Sequence, residues 1–223
     1  MSISTGAHSK AAWIRCDNSP TPRPGPTSAW LRLGQLEASE IECAPYDKKR
    51  FTENLHLIRA LTTKHPKEFV PEMRRLCAGA GVALALVPEI KGAPWSGAAE
   101  WLTPTKAMIL VNLRGKSEDK FWFSFFHEAG HILHDSKKET FIDDGKSYRD
   151  KREEQCADEF AAELLIPAIH NPAIKSARSA FEIKGLAAKL GVCPGIVVGR
   201  HQYLTQKWSN FNGLKNKFVW VEK

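Results

Sequence analysis

Apolar residues recur at helical spacing in two segments of the first third of the chain. In residues 47–61 apolar side chains stand three or four positions apart, and Asp47 occupies the expected N-cap position. The second segment begins at Pro66 or Pro71 and ends at the glycines of AGAG, residues 78–81, which favour a helix end. Both segments are therefore predicted to be amphipathic helices.

The hydrophobic pattern then changes to that of β-strands. VALALVPEI, residues 82–90, is a continuous apolar run that ends at a proline. AAEWLTPTKAMILVNL indicates two further strands, 98–103 and 107–113, joined by a tight turn around Pro104 and Lys106. Strands joined in this way predict a small, mostly antiparallel sheet.

The most apolar stretch of the chain, FWFSFFHEAGHILHD at residues 121–135, contains two histidines and a glutamate. Ser117 is expected to cap the helix that carries this stretch, with Asp119 in its first turn. EEQCADEFAAELLIP predicts another helix, from about residue 150 to residue 166, closed by Pro167. Helices before and after a small sheet predict an α+β fold.

The length of 223 residues suits one globular unit. Residues 1–28 are rich in Ser, Thr, Gly and Pro, and are predicted to be a disordered tail ahead of a single domain, residues 29–223. No apolar run is long enough for a membrane span, and no export signal is recognisable. The five cysteines form no CxxC pair and suit reduced thiols. These features predict a cytoplasmic protein.

The net charge of +7 would permit contact with nucleic acid, but the basic residues are scattered in short groups beside acids. Residues 181–204 have the small-residue spacing of a helix-turn-helix. Pro194 and Gly195 would open the second helix of that segment, and the next residues, IVVG, are apolar and suit burial better than contact with bases. A DNA-binding regulator is therefore the weaker alternative, and a solvated basic surface is the favoured interpretation.

His127, Glu128 and His131 form an HExxH motif on the predicted helix. Residues four apart on a helix face the same way, with Cβ atoms about 6 Å apart, so both histidines can bind one ion. His134 shares this face, but seven residues of helix, about 10 Å, separate it from His127. Two imidazoles and a carboxylate suit Zn²⁺, and the adjacent glutamate can take a proton from a water that attacks a carbonyl. The motif thus predicts zinc-dependent hydrolysis.

A third ligand is predicted on the next helix, where Glu154 and Asp158 stand four residues apart. This spacing allows Glu154 to reach the metal while Asp158 accepts the outer N–H of a ligand histidine and fixes its tautomer. Glu153 is the rival ligand, although it has no such partner on its own face. The small side chains of Ala157 and Ala161 would allow this helix to approach the first one closely.

FFHEAGHILHD followed by EEQCADEFAAELLIP resembles the paired signature of the ImmA/IrrE metallopeptidase family, whose second helix reads E-x-x-A-[DN]-x-F-A-A-x-L-L-x-P. The resemblance extends from about Ala29 to the C-terminus and includes GIVVGRHQYL…NGLK. It is strongest to the peptidase half of regulators similar to HigA-type antitoxins, whose N-terminal helix-turn-helix is expected to be missing here. The resemblance implies a zincin-like fold, in which the sheet packs on the HExxH helix and on the ExxxD helix.

The resemblance also implies a gluzincin-like zinc endopeptidase that cleaves a separately encoded partner. That partner is typically a helix-turn-helix repressor, whose cleavage releases transcription under stress. Carried over to this sequence, the zinc ligands are His127, His131 and Glu154, with Glu128 as general base and Asp158 as support for a ligand. The family includes members of toxin-antitoxin pairs, so a protein that binds its partner without cleaving it is the alternative.

Two further features are expected of a peptidase of this type. The strand before the HExxH helix, residues 107–113, is nominated as the sheet edge that pairs with an extended substrate. A side chain from a later segment should stabilise the oxyanion, and His201 and Tyr203 are the candidates. His201 stands where the HigA-like subgroup more usually has Leu, so a packing role is the alternative for it.

Overall fold

A computed structural model describes residues 2–6, 24–134 and 151–221, which form an α+β arrangement. The helices are α1 (Pro24–Ser39), α2 (Lys48–Ala60), α3 (Pro66–Ala78), α4 (Glu118–His134), α5 (Lys151–Leu165), α6 (Asn171–Ser176), α7 (Ala180–Leu190) and α8 (Pro194–Thr205). The strands are β1 (Ser2–Gly6), β2 (Val82–Leu86), β3 (Gly97–Thr103), β4 (Lys106–Val111) and β5 (Lys217–Val221). None of these helices has both the length and the apolar sequence that crossing a membrane requires.

Regular structure begins earlier than the composition predicts. α1 starts at Pro24, and β1 lies within the predicted tail, where it pairs antiparallel with β5. Proline is well tolerated in the first turn of a helix, because the backbone N–H that it lacks would have no intrahelical acceptor there. The last part of the proline-rich stretch therefore contains a helix start. The rest of the predicted tail, residue 1 and residues 7–23, lies outside the described residues.

The central sheet has three strands in the order β2-β4-β3. β4 runs parallel to β2 and antiparallel to β3, so the prediction of a mostly antiparallel sheet was wrong for one of the two pairings. Because β4 is paired on both sides, the prediction that residues 107–113 form a sheet edge was also wrong. The continuous apolar sequences of β2 and β4 are typical of strands that are covered on both faces.

Side chains along β2 and β4 alternate between two apolar clusters. Leu84 and Ile109 face the main core, which includes the aromatic residues of α4. Ala83 and Leu110 face the opposite side, where α1 covers the sheet. Gly34 allows α1 to lie directly on the sheet, since a Cβ at this position would come 2.5 Å from Cδ2 of Leu110. The sheet is thus a middle layer between α1 and the helices that carry the candidate site.

α7 and α8 form a helix pair, joined by a turn in which Gly191 has a φ of 67°. Ile196, Val197 and Val198, near the start of α8, are at most 4% exposed. A DNA-binding helix-turn-helix uses the N-terminal residues of its second helix to contact bases. In this chain those residues are part of the core, which favours the packing interpretation of residues 181–204.

Candidate metal centre

Aromatic packing holds α4 in place. Phe121, Trp122, Phe125 and Phe126 are each at most 3% exposed. Their rings pack on one another, and two of them also pack on Phe69 of α3. Aromatic contacts of this kind, in a core without spare volume, fix the position of the helix axis. The HExxH residues that follow therefore project from a rigid element.

His127, His131 and Glu154 come together between α4 and α5. Nε2 of His127 lies 3.0 Å from Nε2 of His131. The carboxylate oxygens of Glu154 lie 3.3 Å from Nε2 of His127 and 3.4 Å from Nε2 of His131. One candidate ligand atom from each residue lies within 4.8 Å of the others. The structure thus brings together the three residues nominated as ligands, and the rival Glu153 is not part of this group.

The three separations of 3.0, 3.3 and 3.4 Å fit one small cation. Tetrahedral zinc with bonds of about 2.0–2.1 Å to nitrogen and oxygen requires ligand atoms about 3.3 Å apart. Two imidazole nitrogens and one carboxylate are also a donor set found in catalytic zinc sites. The residues therefore fit the metal that the motif predicts.

Asp158 orients the ring of His127. Its Oδ1 lies 2.8 Å from Nδ1 of His127, on the side of the ring away from Glu154. Nδ1 therefore donates its proton to the carboxylate, and Nε2 is left to present its lone pair to an ion. This contact is the one expected from the four-residue spacing of Glu154 and Asp158 on α5.

Replacing Asp158 by Asn is expected to weaken zinc binding by about 10- to 100-fold. The amide is a weaker acceptor than the carboxylate, so the ring of His127 loses its fixed tautomer. Competition with a chelator of known affinity measures the effect. Glu159→Gln is the matched control on α5, because Glu159 accepts a hydrogen bond from Gln155 and has no part in the metal group. Equal affinities for both variants would contradict the role of Asp158.

α4 and α5 approach each other closely at Gly130, inside the HExxH motif. A Cβ at Gly130 would lie 3.1 Å from Cα of Ala157 and 3.2 Å from Cδ1 of Phe160. Ala157 and Ala161 are at most 2% exposed and fill the space between the helices. Small residues on both helices thus bring Glu154 within reach of the histidines.

Glu128 lies against the first residue of β3. Its side chain is 5% exposed, and a Cβ at Gly97 would come 2.6 Å from its Oε1 and 2.7 Å from its Cγ. A larger residue at position 97 would therefore displace the carboxylate. Gly97 was not predictable as a functional position, because nothing local to WSGAAEW indicates a contact with residue 128.

Hydrogen bonds within the group shift its pKa values. Burial alone lowers the pKa of His127, but the hydrogen bonds with Asp158 and Glu154 and the charge of Glu128 raise it to about 10. Hydrogen bonds from His127 and His131 hold the pKa of Glu154 well below its usual range. Without an ion, His127 is therefore protonated on both ring nitrogens at neutral pH and carries a positive charge. Glu154 keeps its negative charge.

Zinc affinity is expected to rise about tenfold per pH unit between about pH 7 and pH 9, since the ion must displace the proton of His127. A lower pH opposes binding because the raised pKa keeps this proton in place. Glu154 stays ionised over the whole range and adds no slope. A histidine with an ordinary pKa of about 6.5 would give a nearly flat profile above pH 7. Chelator competition at several pH values distinguishes the two profiles.

The C-terminal end of α4 is capped by residues that precede and begin α2. Nζ of Lys48 donates a hydrogen bond to the carbonyl oxygen of Leu133 at 2.7 Å, and the hydroxyl of Tyr46 donates to that of Ile132 at 3.5 Å. The last carbonyls of a helix have no intrahelical donor and carry partial negative charge. A cation at this position therefore stabilises the helix that carries the motif.

Replacing Lys48 by Met is expected to lower the free energy of unfolding by about 1–2 kcal/mol, because a charge-assisted hydrogen bond to a helix end is lost. Urea unfolding of the protein measures the change. Lys49→Met is the matched control, since Lys49 is exposed one residue further on. Similar unfolding curves for the two variants would show that the cap contributes nothing.

The N-terminal end of α4 is bound to the C-terminal part of the chain. Glu118, 2% exposed, accepts hydrogen bonds from the backbone N–H of Gly195 at 3.0 Å and from Nδ2 of Asn216 at 2.9 Å. Asp119 accepts a hydrogen bond from Nζ of Lys215 at 2.8 Å. Gly195 is required here because a Cβ would collide with Glu118. These buried polar contacts fix the start of the motif helix relative to α8.

The described contacts of His201 are made with residues outside the group of candidate ligands. His201 is 2% exposed, with Nδ1 at 2.8 Å from the carbonyl oxygen of Ile174 and Nε2 at 3.4 Å from Nδ2 of Asn210. Its ring packs on Phe211. Tyr203 is 57% exposed. The structure therefore favours a packing role for His201, the alternative to an oxyanion role. The oxyanion role of Tyr203 stays a prediction.

Comparison with known protein families finds a match to the IrrE N-terminal-like domain (Peptidase_M78) over residues 86–200. This range is just over half of the chain and contains all three candidate metal ligands together with Glu128 and Asp158. A search of curated proteins found no match. A metal is implied by membership of this peptidase family, in agreement with the clustered histidines and glutamate. The chain belongs to the ImmA/IrrE family of metallopeptidases, as its IrrE N-terminal-like domain shows.

Proposed function

We propose that this chain is a zinc-dependent endopeptidase. The observation that supports this most directly is the convergence of His127, His131 and Glu154, with Glu128 next to the first histidine on the same helix. Structural zinc sites are normally closed by four protein ligands, whereas catalytic sites use three. Among the described residues the group has three members, and in a chain of a peptidase family this favours catalysis over a structural role.

The proposed mechanism assigns a separate task to each residue. His127, His131 and Glu154 would hold the zinc ion, which would supply a Lewis acid for the carbonyl group of the peptide. Glu128 accepts a proton from the attacking water and delivers it to the leaving amine. Its side chain is buried against Gly97, where its position is restricted. Asp158 keeps His127 in the tautomer that the ion requires.

We further propose that the substrate is a separately encoded helix-turn-helix regulator or the partner protein of a toxin-antitoxin pair. Two features support this proposal. The paired motifs resemble the peptidase half of HigA-like regulators. The buried start of α8 also indicates that the chain's own helix pair is a packing element, so that a second protein would supply the DNA-binding surface.

Cleavage of a candidate partner tests this proposal. The zinc-loaded protein is incubated with the purified helix-turn-helix protein encoded beside its gene, and the products are followed by intact mass spectrometry. Two fragments whose masses sum to that of the regulator plus one water are expected, and a chelator should prevent their formation. A regulator that is bound but stays intact would instead indicate a non-catalytic binding component.

A further inference from the structure

One aromatic residue of α4 differs from the others in its exposure. The four aromatic residues that pack in the core are at most 3% exposed, whereas Phe123, in the same stretch, is 38% exposed. A scattered exposed apolar residue is common on protein surfaces and needs no special explanation. The location of Phe123 relative to the metal group is what gives its exposure a meaning.

Phe123 precedes His127 by four residues, so both side chains lie on the same face of α4, one turn apart. The centroids of their rings are 6.3 Å apart, and the ring planes are inclined by 35°. Phe123 therefore places a partly exposed aromatic ring directly beside a candidate zinc ligand. A peptide held at the ion would bring its own side chains within reach of this ring.

Trp95 is a second exposed aromatic residue, in the segment that leads to Gly97. It is 48% exposed and stands two residues before Gly97, which lies against Glu128. The backbone of this segment is held by Asn112, whose Nδ2 donates to the carbonyl oxygen of Trp95 at 2.8 Å and whose N–H donates to that of Ser96 at 3.1 Å. Asn112 is itself 3% exposed. The ring of Trp95 is therefore exposed on an anchored backbone.

We propose that Phe123 is a specificity-determining residue, which contacts an apolar side chain of the peptide next to the bond to be cleaved, and that Trp95 adds a second aromatic contact near Glu128. This inference rests on the proposed function and names its substrate class as peptides with a large apolar residue at the cleavage site. Burial of a leucine side chain against such rings is expected to make a leucine-containing peptide bind about tenfold or more tightly than one with glycine at the same position.

The test uses two dipeptide hydroxamates as probes, one with a leucyl and one with a glycyl side chain, and measures their binding to the zinc-loaded protein by calorimetry. The wild-type protein should bind the leucyl probe about tenfold more tightly than the glycyl probe. Phe123→Ala should reduce this ratio to about threefold or less, whereas Phe123→Leu should retain most of it. Trp95→Ala should cause a smaller reduction of the ratio than Phe123→Ala.

Phe181→Ala is the matched control, because Phe181 is 85% exposed on α7 and should have no effect on the ratio. A wild-type protein without preference, an unchanged ratio in Phe123→Ala, or an equal reduction in Phe181→Ala would each overturn the inference. Hydroxamate binding requires no turnover. A ratio of leucyl to glycyl probe affinity that depends on Phe123 would therefore support the subsite even if no peptide were cleaved. Failure of the proposed function would be seen separately, as absence of cleavage of the regulator.

Discussion

Replacement of Glu128 by Gln is expected to lower the rate of peptide hydrolysis by about 10²- to 10⁴-fold while zinc binding and folding are preserved. Glutamine has nearly the same shape as glutamate, so it fits the buried position beside Gly97, but it cannot accept a proton from the attacking water. Glu128 is not one of the three clustered ligand residues, so the ion is expected to stay bound. The cleavage rate of the partner regulator and the zinc content per chain are the two quantities to be measured.

Glu100→Gln is the control for this change. Glu100 lies on the neighbouring strand β3, and its carboxylate accepts hydrogen bonds from Nε2 of Gln35 in α1. Its neutralisation should leave the cleavage rate close to that of the wild-type protein. If Glu128→Gln cleaves the regulator as fast as the Glu100→Gln control, proton transfer by Glu128 is excluded. If the Glu128→Gln variant keeps the biological effect of the wild-type protein, the alternative of a protein that binds its partner without cleaving it is favoured.

Replacement of Glu154 by Ala is expected to reduce zinc affinity by more than 100-fold. Loss of a residue that only supports a ligand costs about 10- to 100-fold in metal affinity, and removal of a ligand should cost more. The two histidines that remain would offer the ion only two protein nitrogens. Chelator competition measures the affinity, and circular dichroism shows whether α5 is retained.

Glu153→Ala is the matched control for Glu154→Ala, because it removes the neighbouring carboxylate from the same helix. The side chain of Glu154 touches both histidines through its two oxygens, whereas Glu153 is outside the group of candidate ligand atoms. The control should keep an affinity close to that of the wild-type protein. A larger loss of zinc affinity in Glu153→Ala than in Glu154→Ala would reverse the assignment of the third ligand.

The metal group was predictable from the sequence because its geometry is largely local. His127 and His131 are one helical turn apart, and so are Glu154 and Asp158, so each pair has its relative position set by the helix alone. Only the contact between the two helices is non-local, and the small residues at their interface, such as Ala157, indicated it. The close approach at Gly130 was not anticipated, although this residue is inside the motif.

The sheet and the anchoring of α4 were less predictable because they depend on contacts between distant segments. The turn between β3 and β4 made their antiparallel pairing visible, but the parallel pairing of β2 and β4 has no local signal. Glu118 and Gly195 are 77 positions apart, and Glu118 and Asn216 are 98 apart. His201 was nominated from its residue type, and only the structure shows the carbonyl oxygen that its ring contacts.

Zinc K-edge X-ray absorption of the zinc-loaded protein tests the central claim, that His127, His131 and Glu154 hold one zinc ion. The expected spectrum shows nitrogen and oxygen neighbours at about 2.0–2.1 Å, with the outer scattering of two imidazole rings and no sulfur. Glu154→Ala should lose the bound zinc. Sulfur neighbours at about 2.3 Å, as a cysteine ligand would give, or a wild-type protein that binds no stoichiometric zinc, would contradict it.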